Sequence, residues 1–298
     1  MELQSLSIVV PNKKCMNDCR FCVSKMHCDA YPNCMDPAGP MFDLGMADYL
    51  KRLEFARHNG CNTVMLTGTS EPQQNKTFLT FFGMFQKLMR DPFQWVEMQT
   101  TGAGLDRDFL RFLRNHVGVS LVSLSVSSLD SQENALIIRC PPTKVPCLTY
   151  LARDIHDYGF SLRMSLNLTS YFDRFADDPA ELFDRLKSVY GADQATLRVL
   201  YASGTGTPQD DWIAKHAAAP ETVRALENYV LANGRLLGTL PYGARKYSVH
   251  GMSVVTDADC MAKDDDKKSL PGEHYKYLIL QPNAKLYSQW DDPASLIF

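Results

Sequence analysis

No run in this chain approaches the roughly 18 consecutive apolar residues that a membrane span needs. The opening residues, MELQSLSIVVPNKK, lack the basic start and long apolar centre of a secretory signal. Basic charge is not in excess: 31 Lys and Arg stand against 34 Asp and Glu, for a formal net charge of −3. That balance gives no electrostatic case for a nucleic-acid partner. Internal repeats are absent, and the charge run Lys263 to Lys268 is the nearest thing to low complexity. Cysteine is sparse and odd in number, nine in 298 residues, which argues against a disulfide scaffold and for a reducing cytoplasm. Beyond Cys147 there is only Cys260, so the C-terminal third cannot hold a thiolate cluster of its own. What remains is an ordinary globular composition, 45% hydrophobic and 22% charged, long enough for one α/β barrel or two smaller domains.

What the chain does have is three cysteines, Cys15, Cys19 and Cys22, in the order C-x3-C-x2-C, directly after the apolar run Leu6 to Val10. Three thiolates on one tight loop can hold three corners of a [4Fe-4S] cube and leave one iron open for chemistry. The alternative is a structural zinc site. Zinc wants four closed ligands, usually as two separated pairs, and His27, Cys28 or Cys34 lies close enough to supply a fourth.

The stretch CMNDCRFC, with Phe21 just before the last cysteine, resembles the radical S-adenosylmethionine (SAM) superfamily. The resemblance implies a [4Fe-4S] cluster whose open iron chelates the methionine part of SAM. It implies reductive cleavage to methionine and a 5'-deoxyadenosyl radical, which abstracts hydrogen from a substrate. A flavodoxin- or ferredoxin-type protein would supply the electron.

Strand-like runs near Leu6–Val10, Thr63–Thr67, Trp95–Thr101, Leu121–Ser127, Ser161–Leu168 and Ala195–Tyr201 are separated by helix-like ones. The helices are expected near Asp43–Asn59, Lys76–Met89, Arg107–Asn115, Ser131–Ile138, Lys144–Asp157 and Pro179–Val189, with another near Pro220–Ala232. Such alternation predicts βα units and a parallel sheet. Six units fit the partial (β/α)6 barrel that the resemblance implies, with a core over residues 1–205 and a helix-plus-hairpin extension over 206–298. Several strands alternate in polarity where a parallel sheet covered on both faces would read as continuously apolar. Glu97, Gln99 and Thr101 share one face, Ser123, Ser125 and Ser127 another, and Arg163, Ser165 and Asn167 a third. With helices on the outside, these faces are expected to look inward, into a lumen suited to a polar ligand.

The second strand ends in Thr67-Gly68-Thr69-Ser70-Glu71-Pro72. The family usually has Gly-Gly-Glu-Pro here, a turn whose backbone and carboxylate receive the amino group of SAM. The resemblance therefore puts Gly68, Thr69 and Glu71 beside SAM, although TGTSEP departs from the usual spacing. It also places polar side chains of the fourth and fifth strands on the ribose hydroxyls and the methionyl carboxylate. Ser125, Ser127, Arg163 and Asn167 are the candidates, since serine and asparagine can both donate and accept and a guanidinium grips a carboxylate. A buried ion pair between Arg163 and Glu97 is the other reading of that arginine, and the two roles can coexist. Arg198 and Tyr201 are expected to pack in the barrel or form a rim salt bridge, with the far side of the lumen as their alternative place. Ser203 to Thr207 is expected to form a flexible loop closing the barrel's top, with a phosphate cradle as the alternative although no helix start follows closely.

Cys61, Cys140 and Cys147 read as small core residues. Tyr277 to Tyr287 reads as a β-hairpin with a Pro-Asn turn. The Tyr-, His- and Lys-rich residues from about 235 onward, among them Tyr242, Arg245, Lys246, Tyr247, His250, His274 and Tyr275, are expected to cap the barrel mouth, with a plain packing extension as the alternative. No catalytic nucleophile and base pair stands out. The expected substrate is a small polar molecule, such as a nucleotide or metabolite. A peptide is the alternative, because the tail hairpin resembles that of peptide-modifying members that have lost auxiliary clusters. A non-catalytic zinc- or cluster-binding protein is a rival of another class, favoured by the altered TGTSEP turn.

Overall fold

A computed structural model of the chain describes residues 2–27, 40–240, 244–256, 274–290 and 292–297. The expected alternation runs through its first two thirds: β1 (Glu2–Val9), α1 (Val23–Met26), α2 (Pro40–His58), β2 (Thr63–Thr67), α3 (Lys76–Leu88), β3 (Trp95–Thr100), α4 (Arg107–Phe112), β4 (Leu121–Val126), α5 (Ser131–Ile138), α6 (Leu148–Asp157), β5 (Ser161–Leu168), α7 (Pro179–Ser188) and β6 (Gln194–Val199). Two further helices, α8 (Pro208–His216) and α9 (Pro220–Asn233), precede β7 (Arg235–Thr239), β8 (Arg245–Val249), β9 (Met252–Val255), β10 (His274–Leu280) and β11 (Leu286–Tyr287).

Local chemistry sets the boundaries. Asn75, Asp106, Asp130 and Asp178 accept backbone N–H bonds as the N-caps of α3, α4, α5 and α7, satisfying donors that a helix start leaves unpaired. Helix α6 begins at Leu148, not at Lys144 as expected. Val145 precedes Pro146 and takes an extended conformation, ψ 119°, because the proline ring disfavours the helical region for the residue before it. Helix α4 ends early and widens into a π-helical turn over Leu113–Val117. That turn packs so closely on α3 that a Cβ on Gly83 would lie 2.0 Å from the His116 carbonyl oxygen.

Strands β1 to β6 pair in chain order and in parallel. The apolar members of each alternating strand, such as Val96 and Met98, Val122 and Leu124, and Leu162 and Met164, are buried in one core with Phe78, Phe82, Leu110, Leu151 and Phe183 of the helices. The polar members therefore point away from the helices, to the inner face. Five successive strands line one cavity with that face, so the sheet wraps around it.

The C-terminal third extends the sheet at both edges. Strand β10 pairs in parallel with β1, β9 pairs in parallel with β6, and β8 and β7 continue beyond β9. Both edges of a six-stranded sheet carry unpaired backbone donors and acceptors, and these added strands satisfy them. The expected hairpin is present as β10 and β11. Tyr247 is a core residue and His250 sits in the β8–β9 turn, bonded to Asp184 and Tyr229. Among the described residues no helix is long and apolar enough to cross a membrane. Cys28, Cys34, Tyr242, Cys260, the run Lys263 to Lys268 and the His274 side chain lie outside the described residues.

Candidate functional site

The cavity, about 250 Å3, opens at the carboxyl ends of β2 to β6, where α/β sheets commonly bind ligands. Cys15, Cys19 and Cys22 form one wall. Their loop leaves β1 and is pinned on two sides. On one side Asn12 Nδ2 donates to Ser70 Oγ at 2.7 Å, and the Met16 N–H to Gln74 Oε1 at 2.8 Å. On the other, the Asp18 and Arg20 N–H groups donate to the Ile138 and Ile137 carbonyls that end α5. Arg139, a non-glycine residue at φ +48°, caps that helix and turns its guanidinium onto Asp18 at 2.7 Å. Lys25 holds the same carboxylate from the loop side.

All three thiols are free. Burial pushes the Cys19 thiol well up, and negative charge on Cys22, Glu71 and Cys15 pushes it further. Burial also raises Cys15, against the Asn17 N–H that lowers it. Three half-buried sulfurs on one wall, two of them with raised thiols, are a poor resting arrangement alone and a good one around bound cationic iron. Their donor set and shared wall fit a cluster. Among the described residues no three His, Cys, Asp or Glu side chains converge on a single metal ion. The His27 ring packs on Tyr201, centroids 5.8 Å apart.

Glu71 lies at the foot of this wall, 5% exposed. Its carboxylate accepts from Asn17 Nδ2 at 3.0 Å, Gln73 Nε2 at 2.9 Å, Thr101 Oγ1 at 2.7 Å, the Thr101 N–H at 3.1 Å and Thr100 Oγ1 at 2.5 Å. Asn17 stands between two of the cysteines, so Glu71 ties the cysteine loop to the end of β3. Gly68, at φ +139°, lets the turn run against β1; a Cβ there would meet Val9 Cγ1 at 3.0 Å and the Val10 nitrogen at 3.2 Å. A side chain at this position would be strained as well as crowded.

The inner strand faces sort into layers. Gln99, Ser123 and Ser165 line the cavity, with Thr101, Ser125, Asn167 and Arg198 among the other lining residues. Asn167 Nδ2 donates to Ser125 Oγ at 2.9 Å and to Ser127 Oγ at 3.3 Å. Ser127 itself is fully buried behind Asn167 and does not line the cavity.

Arg163 does not line it either. Its guanidinium donates to Glu97 Oε2 at 2.6 Å and to Gln194 Oε1 at 2.9 and 2.6 Å, one side-chain layer below Ser165. The expected ion pair of Arg163 with Glu97 is present; Glu97 on β3 is buried and needs a counter-charge. Arg198 and Tyr201 line the cavity, which is the lumen reading of these two residues and not the packing one.

Of the other sequence readings, Cys61 is buried in the core, with its thiol pushed up to about 12 by burial. Cys140 is half-buried, and burial raises its thiol to about 11, with the charges of Glu71 and Cys15 adding to the effect. Cys147 is exposed at the N-cap of α6, not in the core, because that helix starts four residues later than expected. The loop Ser203 to Thr207 runs straight into α8, capped by Thr207. Asp210 folds back onto the loop and accepts from the Ser203 N–H at 2.6 Å, Ser203 Oγ at 2.7 Å and the Thr207 N–H at 3.0 Å. An internal carboxylate thus takes the donors that a phosphate would use. Asn17, Gln73 and Thr100 were not singled out from the sequence. Their one local signal is position, beside the cysteines or at the carboxyl end of a strand.

No protein-family model matches the chain, and no curated protein matches it. Solved structures do. Native anSMEcpe with bound AdoMet is 15% identical over 77% of this chain and 59% of its own, with a TM-score of 0.53. Native anSMEcpe with bound AdoMet and the Cp18Cys peptide is 17% identical over the same shares, also at 0.53. A radical SAM methyltransferase from Sphaerobacter thermophilus is 14% identical over 88% of this chain and 67% of its own, at 0.51. The chain thus spans about 59% of the length of the anSMEcpe chains it matches. It has the α/β fold of these radical SAM enzymes.

Proposed function

We propose that this chain, which has the fold of radical SAM enzymes, is itself one, carrying a single [4Fe-4S] cluster on Cys15, Cys19 and Cys22. When bound, the cluster supplies an electron to the sulfonium of SAM, giving methionine and a 5'-deoxyadenosyl radical that takes hydrogen from a substrate. The observation that carries this reading is one cavity onto which three free thiols, a glycine-bearing strand-end turn and the polar faces of three strands all open.

The chain's own residues divide the work. Glu71 positions the cysteine loop through Asn17. The backbone of Gly68 and Thr69 borders the cavity next to the cysteines and offers polar groups to the amino end of SAM. Ser125 and Asn167, already hydrogen-bonded to each other, present hydroxyl and amide groups suited to ribose. Ser127 and Arg163 act one layer back, Ser127 by holding Asn167 and Arg163 by closing the polar floor with Glu97 and Gln194. Every one of these residues lies within 1–205, the span we assign as the radical SAM core; residues 206–298 are its extension and complete the sheet.

The substrate we propose is a small polar molecule, because Gln99, Ser123, Ser125, Ser165, Asn167 and Arg198 all line the cavity. A peptide is the second reading, favoured by the peptide bound in one of the similar structures. The reaction needs a one-electron donor of the flavodoxin or ferredoxin type, and the cytoplasm is the compartment that suits it. Anaerobic reconstitution with iron and sulfide, followed by dithionite and SAM, tests the reading. 5'-Deoxyadenosine and methionine should appear by mass spectrometry, and Cys19→Ala should bind no cluster and form neither. A protein that returns only zinc, or a Cys19→Ala variant with full iron content, overturns it.

A further inference from the structure

Two charged side chains line the cavity among the described residues, Glu71 and Arg198, and their situations are opposite. Glu71 is surrounded by donors from Asn17, Gln73, Thr100 and Thr101. Arg198 is half-buried, and its Nε is fully buried with no hydrogen-bond partner among the described residues. The other inward-facing arginine of β5 and β6, Arg163, is already committed to Glu97 and Gln194. A buried guanidinium Nε–H without an acceptor is costly. Its planar fork fits a carboxylate or phosphate through two parallel charge-assisted bonds. Arg198 also stands in register with Asn167, so an anion there would lie beside groups able to bind hydroxyls.

We infer that Arg198 is the anion-recognition residue of the cavity, and that the anion is a carboxylate or phosphate on the substrate. This rests on the proposed radical SAM reading only for the word substrate. The carboxylate of SAM is the other source of the same chemistry. Both sources would meet Arg198 in the same cavity, and the SAM-affinity arm of the test below tells them apart. The polar substrate is thereby narrowed to an acid or a phosphorylated molecule, held by its anionic end on the β6 side.

The test compares reconstituted wild-type protein with Arg198→Gln and Arg198→Lys. Inorganic phosphate and malonate are the probes, titrated with and without saturating SAM and read as the rise in thermal midpoint. SAM affinity is measured separately by equilibrium dialysis. Near-ultraviolet circular dichroism and iron content check that each variant is folded and loaded. Arg198→Gln should bind at least one of the two anions about tenfold or more weakly than wild type, the size expected for losing a charge-assisted bond. Arg198→Lys should retain part of the response, and SAM affinity should be unchanged in both. An anion response that is absent in wild type, or equal in wild type and Arg198→Gln, overturns the inference. Loss of SAM affinity in Arg198→Gln gives the residue to SAM's carboxylate and overturns the substrate assignment. Failure of the radical reading itself appears elsewhere, as wild-type protein that forms no 5'-deoxyadenosine, because the anion titration requires no turnover.

Discussion

Glu71 offers a sharp separation between a ligand-binding and a positioning role. The family resemblance puts its carboxylate on the amino group of SAM, yet here that carboxylate accepts from four side-chain donors and one backbone N–H. In Glu71→Ala, Asn17 Nδ2 keeps Thr101 Oγ1 at 2.8 Å, and Gln73 Nε2 keeps Thr100 Oγ1 and the Ala103 carbonyl at 2.9 Å. The Thr101 N–H has no other acceptor among the described residues and is left buried. Orphaning a buried donor costs about 1–3 kcal/mol, and each bond to a charged group is worth somewhat more than a neutral one. Since most of the other donors keep a partner, the whole loss should be about 3 kcal/mol, or roughly a hundredfold in the folding equilibrium. Glu71→Gln keeps one acceptor oxygen and should lose about half as much. Urea unfolding of the iron-free protein gives the stability, and iron content after anaerobic reconstitution gives the effect on the cysteine loop. Both should fall, more in Ala than in Gln. If Glu71→Ala keeps its stability and iron but loses SAM binding, the carboxylate is a ligand group and the positioning argument is wrong.

Other outcomes follow from the same contacts. Arg163→Met should cost about 3 kcal/mol by stranding Glu97 in the sheet interior, and adding Glu97→Gln should restore part of that in a double-mutant cycle read by urea unfolding. Gly83→Ala should destabilise by about 2 kcal/mol or more, because α3 and the π-turn after α4 must separate to admit the methyl group; its thermal midpoint reports this. The Asp210 carboxyl is held below the usual carboxylate range, first by the Ser203 hydroxyl; burial opposes this, and the Thr207 N–H and hydroxyl and the Ser203 N–H add to the lowering. A depressed carboxyl stabilises the fold fully above its unfolded pKa, near 3.9. The stability gap between wild type and Asp210→Asn should therefore be complete at neutral pH and shrink as the pH falls below that value. Unfolding curves across the acid range test it, and a gap that grows in acid would contradict the assignment. Cys140→Ala and Cys147→Ala should leave the iron content of reconstituted protein unchanged by colorimetric assay.

Much of this architecture is local and so was readable in order along the chain. Strands β2 and β5 and helix α5 have the bounds their periodicity predicts. The alternation of Glu97, Gln99, Ser123, Ser125, Ser165 and Asn167 with apolar neighbours announced a polar inner face, because successive strand side chains point to opposite sides. Helix α8 was missed: Thr207 and Asp210 are a capping box, but the preceding Ser-Gly-Thr-Gly run masks it as loop.

Which polar residue meets a ligand was decided elsewhere. Arg163 and Arg198 look alike as sequence, each a lone cation on an alternating strand. Arg163 finds a buried acid on β3 and an amide on β6, while Arg198 finds neither among the described residues and stays open to the cavity. Glu71 likewise looks like a free acid at a turn until Asn17, Gln73, Thr100 and Thr101 arrive from three separate stretches. The added strands show the same division: nothing within β9 or β10 tells that they will pair with β6 and β1. By itself the sequence determined the periodicities, the helix caps and the cysteine loop, since each depends on residues a few positions apart. Only the tertiary structure decided partners, edges and the identity of the open cation, because those depend on what distant strands bring within hydrogen-bond reach.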